Sequence, residues 1–395
     1  MNKPLEGVKV IELARILAGP FAGQVLADLG ADVIKIEEPS QGDDTRRWGP
    51  PFVVNPEGGS EGAAYFHACN RGKRSIGVDI ATPKGQEIVR RLCAEADVLV
   101  ENFKLGGLKK YGLDAATLRR DFPHLIVCSI TGFGQTGPYA SRAGYDVMIQ
   151  GMSGIMSLTG EPDGEPMKMG VAFADIFTGL YSVIAIQAAL RSREASGEGT
   201  HIDMALFDSM TGVLANQAMN YLVTGNNPQR AGNAHPNIVP YQVFAVSDGH
   251  LIIAVGNDRQ FRGLCRILGN EEWADDPRFA DNAARVANRP ELLGLLCPKL
   301  ASWPRTDLLQ RLEASAIPAG PINTLSEVFA DPQLRERGMV IEAEMAGGAF
   351  TLPGLRTPIL FDGAPLAAQS GSPRLNEHGE AILREINMEE TASDT

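Results

Sequence analysis

Residues 8–37 read VKVIELARILAGPFAGQVLADLGADVIKIE, and the fold is decided there. VKVIEL (8–13) is a short apolar run of strand length, and ADVIKIE (31–37) is a second. Between them ARILAGP (14–20) reads as a turn and FAGQVLADLG (21–30) as a helix closed by Gly30, because glycine accepts the left-handed backbone at which many helices end. Strand, helix and strand in so short a span form a βαβ unit, which predicts two parallel strands joined by a right-handed crossover.

The alternation continues toward the C-terminus. A Pro-, Gly-, Asp- and Arg-rich stretch (38–62) reads as a long surface loop, and SIGVDI (75–80) as a third strand. Pro83 opens a helix through Leu92, ADVLVENF (96–103) is a fourth strand, and a Leu/Lys-rich helical segment to about Arg120 precedes a fifth, LIVCSI (125–130). In GVAFADIFTGLYSVIAIQAALRSR (170–193) apolar residues recur at three- and four-residue spacing, the period of a helix. THIDMAL (200–206) predicts another strand and residues 207–222 another helix. Such alternation indicates an α/β fold on a mainly parallel sheet.

Two Pro/Gly-rich crossings then divide the chain, TGNNPQRAGNAHPNIVP (224–240) and AIPAGPINT (316–324). Between them YQVFAVSDGHLIIAV (241–255) reads as a hairpin with Asp248-Gly249 at its turn, followed by Leu- and Arg-rich helices. The expected organisation is a large domain over 1–224, a smaller inserted α+β domain over 225–318, and a return to the large domain over 319–395. That return holds a helix at 325–338, extended segments to about Leu360 and an acidic tail.

Composition narrows the class. Of 395 residues 44% are hydrophobic and 21% charged, the balance of a globular protein with a sizeable core. The net charge of −12, from 36 basic and 48 acidic residues, argues against a nucleic-acid partner. No apolar run reaches the ~18 residues of a membrane span, and the start lacks the layout of a signal peptide. Cys69, Cys93, Cys128, Cys265 and Cys297 are odd in number, far apart and without a CxxC pair. They read as buried thiols in a reducing cytoplasm, and neither they nor the six histidines show zinc spacing. A cytoplasmic enzyme without metal is the expectation.

Glycine-rich GFGQTG (132–137) follows a strand but is succeeded by Pro138 and a polar run, so a turn is the better reading than a dinucleotide fingerprint. The first βαβ unit ends in Glu37, as a ribose-binding acid would, yet ARILAGP lacks the glycines that let a pyrophosphate approach. ARILAGP, the segment after Ile80, ENFK and TGFGQ all follow carboxyl ends of predicted strands, the edge where open α/β sheets bind ligands. Arg71, Lys73, Arg74, Lys104, Lys109, Lys110 and Arg142 lie near that edge. They suit a small ligand with phosphates, or else are ordinary solvated charges. Asp175 has two readings as well. It is a helix N-cap, or a carboxylate nucleophile kept ionised by the partial positive charge of the helix start.

The segments AGPFAGQVLADLGADVIKIE, GD at Asp43 with Arg46, NRGKRSIGVDI, ADVLVENF, ITGFGQTGP, GYD (144–146), SGIMSLTG, GVAFADIFTGL, GEGTHIDMAL and IPAGPINTLSEVFADPQL resemble, in order, those of the family III coenzyme A transferases. The resemblance covers nearly the whole chain. It implies a Rossmann-like large domain built from both chain ends, a small domain between them, and a homodimer whose chains interlock. It also implies that coenzyme A and acyl-CoA are substrates and that no cofactor is permanently bound. Asp175 falls on the family's nucleophilic aspartate, whose carboxylate attacks an acyl-CoA thioester to give a mixed anhydride and then an aspartyl-CoA thioester. Phe173, Ile176 and Phe177 would keep water from it.

The coenzyme A contacts implied by the resemblance are Leu17 and Ala18, Val78, Asp79, Ile80 and Ala81, Asn102, Phe103 and Lys104, Lys110, and Ala143, Gly144, Tyr145 and Asp146. Leu17 stands where some members have Gln, Glu38 where the formyl-CoA enzyme has Arg, and Lys110 where it has Arg, which keeps the charge but loses the bidentate fork. That enzyme's glycine-rich lid has no match near residues 225–260, so another segment would cover the site. Similar α-methylacyl-CoA racemases use the matching Asp with a His of a G-H-D motif. Here the motif is Gly144-Tyr145-Asp146, and a tyrosine, ordinarily titrating near ~10, is a poor base at neutral pH. Transfer to a carboxylic acid is preferred over racemisation, over an NAD-dependent dehydrogenase and over a non-catalytic acyl-CoA-binding protein, all of which stay open at this point. The resemblance is greatest to members using succinyl-CoA with small dicarboxylates, with Arg230 and His235 as candidate holders of a second carboxylate.

Overall fold

The computed structural model describes residues 3–388. The described residues form two compact units, one of residues 3–155, 168–224 and 333–388, the other of Met156–Met167 and Gly225–Pro332. The expected inserted segment began at residue 225 and ended at 318; the second unit runs to Pro332 and also takes in Met156–Met167. The acidic tail beyond residue 388 lies outside the described residues.

In the first unit β1 (Lys9–Leu13), α1 (Ala18–Asp28) and β2 (Asp32–Glu37) make the expected βαβ unit, with the strands parallel. The stretch expected as a bare loop contains a hairpin, β3 (Phe52–Val54) and β4 (Ser60–Ala63), followed by a single turn of helix, α2 (Ala64–His67). Next come β5 (Lys73–Gly77), α3 (Pro83–Glu95), β6 (Val98–Glu101), α4 (Ala115–Asp121) and β7 (Ile126–Thr131). Then follow α5 (Asp146–Met152), the short α6 (Ile155–Leu158), α7 (Phe173–Ser196), β8 (His201–Ala205), α8 (Leu206–Gly212) and α9 (Ala215–Thr224). Two expectations shift. The third strand lies at 73–77, set by its pairing with β2, so Val78–Ala81 form the turn beyond it. The helix expected over 207–222 breaks before Ala215, whose φ is +46°.

Six parallel strands run in the order β5-β2-β1-β6-β7-β8. In chain order that is 3-2-1-4-5-6, and the order reverses between β1 and β6. Ligand crevices of open α/β sheets lie outside the carboxyl ends of strands at such a reversal. Alternate strand residues feed two cores. Val10, Val33, Val98, Ile126 and Cys128 pack with α1 and α7, while Ile11, Ile34, Leu99 and Val127 pack with α3, α4 and Ile382 near the C-terminal end. The sheet is therefore covered on both faces, which is why its strands read as nearly continuous apolar runs.

α7 is long and apolar enough, by length and composition, to cross a membrane. This corrects the expectation that no segment reaches that length. Its inner side, including Val183, Ile186 and Ala189, belongs to the core with α1, whereas Leu180, Tyr181 and Ile184 face outward.

In the second unit β9 (Tyr241–Val246) and β10 (Gly249–Ala254) form the hairpin. Gly249 is already paired with Val246, so the turn residues are Ser247 and Asp248 rather than Asp248 and Gly249. β11 (Ala319–Pro321) adds antiparallel to β10. The helices α10 (Asp258–Ile267), α12 (Arg289–Ala301) and α13 (Arg305–Ala314), with the short α11 (Asn282–Ala287) between, enclose the unit's own core around Phe244, Leu251, Phe261 and Leu296. Of the five cysteines, four are buried as expected, but Cys297 on α12 is exposed.

Candidate active site

The first turn of α7 carries Asp175, but not as its N-cap. The cap is Ala172, whose methyl group cannot accept a hydrogen bond, and Asp175 is the third helical residue. The backbone N–H groups left over at a helix start need partners, and here they come from another element. Asp146, first residue of α5, accepts from the Ala174 N–H (2.8 Å) and more weakly from the Asp175 N–H (3.4 Å) through Oδ1. Its Oδ2 accepts from Gln150 Nε2 (2.7 Å), and Gln150 Oε1 accepts from the Met169 N–H (2.9 Å). One carboxylate thus ties α5, the lead-in segment to α7 and the start of α7 together.

Asp175 is half-buried. Burial, helped by the neighbouring charge of Asp146, pushes its carboxyl up to about 7. This reverses the expectation that the helix start keeps it ionised: desolvation outweighs the helix, whose N–H groups are spent on Asp146. Tyr65 of α2 belongs to the same neighbourhood, for burial and then the charge of Asp175 push its phenol up to about 12. Phe173 and Phe177, two of the three residues expected to wall off the acid, meet edge to face at 5.6 Å.

A Cβ on Gly179, one turn beyond Asp175, would stand 2.8 Å from the Ala18 carbonyl oxygen. The glycine lets α7 lie against the start of α1, and so brings the β1–α1 turn to the acid. That turn is strained, with φ of +73° at Ile16, a region that costs a residue with a Cβ roughly 1–2 kcal/mol. It is held on every side. The Ala14 carbonyl accepts from Lys35 Nζ (2.8 Å), the Arg15 N–H and carbonyl pair with the Asn102 side chain (3.0 and 2.7 Å), and the Ile16 N–H reaches Asp43 Oδ1 (3.3 Å). Lys35 itself is fully buried between Glu12 and Asp43, each at 2.9 Å. Burial alone would lower its pKa, but the carboxylates of Glu12, Asp43 and Glu37 raise it instead. Asp43 is driven the other way, down to about 2, because Lys35 and the Thr45 donors overcome its burial.

A desolvated carboxyl at a helix start beside a braced turn, near the order reversal of a parallel sheet, is suited to covalent acyl chemistry. The sequence model of CoA-transferase family III matches residues 5–379. The chain belongs to that family. A succinate–glutarate CoA-transferase of Agrobacterium fabrum is 59% identical over 391 residues, spanning 99% of this chain and 98% of that protein. The succinyl-CoA:glutarate CoA-transferase of Homo sapiens is 43% identical over 385 residues, spanning 97% of this chain and 86% of that protein. Among solved structures, a CAIB/BAIF family protein from Brucella suis is 65% identical with a TM-score of 0.86, covering 98% of this chain and 100% of its own.

In this family III chain the residues singled out by sequence fall into three groups. Leu17 and Ala18 are buried at the junction of the turn and α1, and Gly144 stands back to back with Gly132, where an added Cβ would lie 2.3 Å from the Gly132 Cα. That close approach, with the Asp146 bond to the Ala174 N–H, holds the 143–146 segment beside the acid. A second group is occupied internally. The Val78 N–H bonds the Glu37 carbonyl, the Ala81 N–H bonds the Asp79 carboxylate, and the Ile80 carbonyl accepts from Gln86. Asn102 clamps Arg15, and the Phe103 N–H bonds Glu101. The third group, Lys104, Lys110, Ala143 and Tyr145, is exposed, with Tyr145 at 66%.

Several basic residues leave the list of ligand candidates. Arg71 is buried on Asp28, Lys73 on Glu12, and Arg74 pairs with Asp32 and Glu385, because each sits inside or beside β5 rather than past its end. Glu37 is likewise consumed by Arg46 and Ser75, and the Glu38 carboxylate closes its own turn on Ser40 and Gln41. Sequence reasoning missed Tyr65 and the bracing roles of Asp43 and Lys35. Asp43 stood within a quoted family segment, but nothing in AAYFHACN distinguishes Tyr65 from any half-buried aromatic.

Proposed function

We propose that the chain moves coenzyme A from succinyl-CoA to glutarate or another short dicarboxylate, with Asp175 as nucleophile. A carboxylate oxygen of Asp175 attacks the thioester carbon and the C–S bond breaks, leaving a mixed anhydride and CoA thiolate. The thiolate attacks the aspartyl carbonyl, succinate departs, and an aspartyl-CoA thioester remains. The acceptor carboxylate attacks that thioester, and the expelled thiolate then attacks the acceptor's carbonyl, releasing the new acyl-CoA and Asp175. No proton needs to be delivered in any step, which suits a site where Tyr145 is exposed and the charged neighbour acting on Asp175 is Asp146. An anhydride is energetic enough to re-acylate a thiol.

The observation that carries this reading is the half-buried Asp175 carboxyl, raised by burial at the carboxyl edge of the sheet. The choice of succinyl-CoA and glutarate rests on the activities named for the Agrobacterium and human relatives. Leu17, Ala18 and the 143–146 segment would then flank the thioester. Arg230 bonds the Glu161, Pro162 and Gly164 carbonyls through Nε and Nη2. His235 stacks on Tyr241 at 5.1 Å. The working form is a homodimer: Ile184 of α7 is 61% exposed and Leu222 and Val223 of α9 more than 70%, and apolar faces of this kind mark partner surfaces. The free thiols suit a reducing cytoplasm.

Exchange assays read by mass spectrometry, pairing succinyl-, acetyl- and glutaryl-CoA with mono- and dicarboxylates, test the substrate class. Turnover with monocarboxylates alone would sink it. Asp175→Asn should bind CoA normally and lose at least 1,000-fold in rate, the scale on which removing a covalent nucleophile acts, and hydroxylamine added during turnover should mark the peptide holding Asp175.

A further inference from the structure

Asp146 makes no use of its charge in the transfer steps above, yet it sits half-buried beside the nucleophile. A carboxylate that accepts several helix N–H groups is strongly stabilised as an anion and correspondingly poor as a base or nucleophile. Asp175, in the first turn of a 24-residue helix, is placed to be stabilised in that way. It is spared because Asp146 takes the Ala174 and Asp175 N–H groups first. We propose that Asp146 is a positioning residue for the reaction at Asp175: it occupies the helix N–H groups that would otherwise clamp the nucleophile, and sets a second negative charge beside it. The relay behind it, Gln150 to Met169, fixes Asp146 so that both effects are built in before substrate arrives. The proposal rests on Asp175 being the nucleophile.

The groups facing Asp175 limit what else could tune it. From α5 there is Asp146 and from α2 Tyr65. The α1 stretch Leu17–Ala22 that meets α7 contains no titratable side chain. On the strands beneath, His201 bonds Ser129 and Asp203 bonds the Gln135 N–H, and Asp208 of α8 is exposed.

Carbodiimide coupling reacts with the protonated carboxyl, so labelling of Asp175 against pH, read by peptide mass spectrometry on the full chain, reports its titration without turnover. The wild-type midpoint should lie near 7. Asp146→Asn, which keeps an acceptor for the helix but removes the charge, should lower that midpoint and the acid limb of kcat/KM together by about one pH unit, and reduce kcat on the alkaline plateau severalfold. Asp146→Ala, which frees the N–H groups as well, should shift both further. Asp146→Ser is the second acceptor-only variant should the amide fold poorly. A wild-type midpoint near 4, or a folded Asn or Ser variant with midpoint and limb unmoved, overturns the proposal while leaving the nucleophile intact. Undiminished turnover by Asp175→Asn would overturn both.

Discussion

At the scale of single residues, the decisive contest is between a helix start that favours an anion and burial that opposes one. Asp175 titrates near 7 in the folded chain against an ordinary value near ~3.9 when unfolded. The folded state therefore holds a proton that the unfolded state has released through that window. Stability contributed at this position falls as pH rises from about 4 to about 7. Asp175→Asn should accordingly melt higher than wild type at pH 8, by about 2 °C or more, and at the same temperature as wild type at pH 4. Scanning calorimetry at both values checks it, and equal shifts at both would refute the desolvation argument. Asn102 offers a second residue-level expectation. Asn102→Ala strips both hydrogen bonds from the Arg15 backbone and should raise KM for acyl-CoA and lower kcat about tenfold or more, with a stability loss of about 1–3 kcal/mol.

Among elements, three junctions position the acid: α7 against α1 at Gly179, the 143–146 segment against Gly132, and the braced β1–α1 turn. Gly144→Ala would put a methyl into the Gly132 backbone. It should displace Asp146 from the start of α7 and cost activity at least 100-fold while the chain remains folded, as circular dichroism would show. Beneath the turn, Lys35→Met leaves Asp43 without its cation in a fully buried setting, while Glu12 keeps Lys73. Breaking such a pair costs about 3–5 kcal/mol, so urea denaturation should show a loss of that size. The βαβ units, the sheet, the hairpin of the second unit and the long helix were all legible in the sequence, since each depends on local periodicity and turn residues. The break at Ala215 and the β3–β4 hairpin were not, because neither has a period long enough to stand above loop composition.

For the molecule as a whole, the outward apolar residues of α7 and α9 set an expectation about assembly. Light scattering should find two copies per particle, and Ile184→Asp should yield monomer or aggregate with activity lost. A stable, active monomer from that variant would rule out α7 as a contact surface. The two-unit organisation was partly readable from the Pro/Gly crossings, but Met156–Met167 joins the second unit without any compositional mark.

What the sequence determined unaided is what neighbours along the chain decide: strands, helices, their parallel alternation, the acid at the head of α7, and a family whose motifs follow in order. Only the tertiary structure decided which charges are spent inside the fold and which remain for chemistry. Lys73 and Arg71 looked like ligand groups and are buried partners of Glu12 and Asp28, and Asp175 looked like a stabilised anion and is a desolvated one. The reason is physical. The energy of a charge is set by what surrounds it in space, and residues as distant in sequence as Asp146 and Asp175 are brought together only by packing.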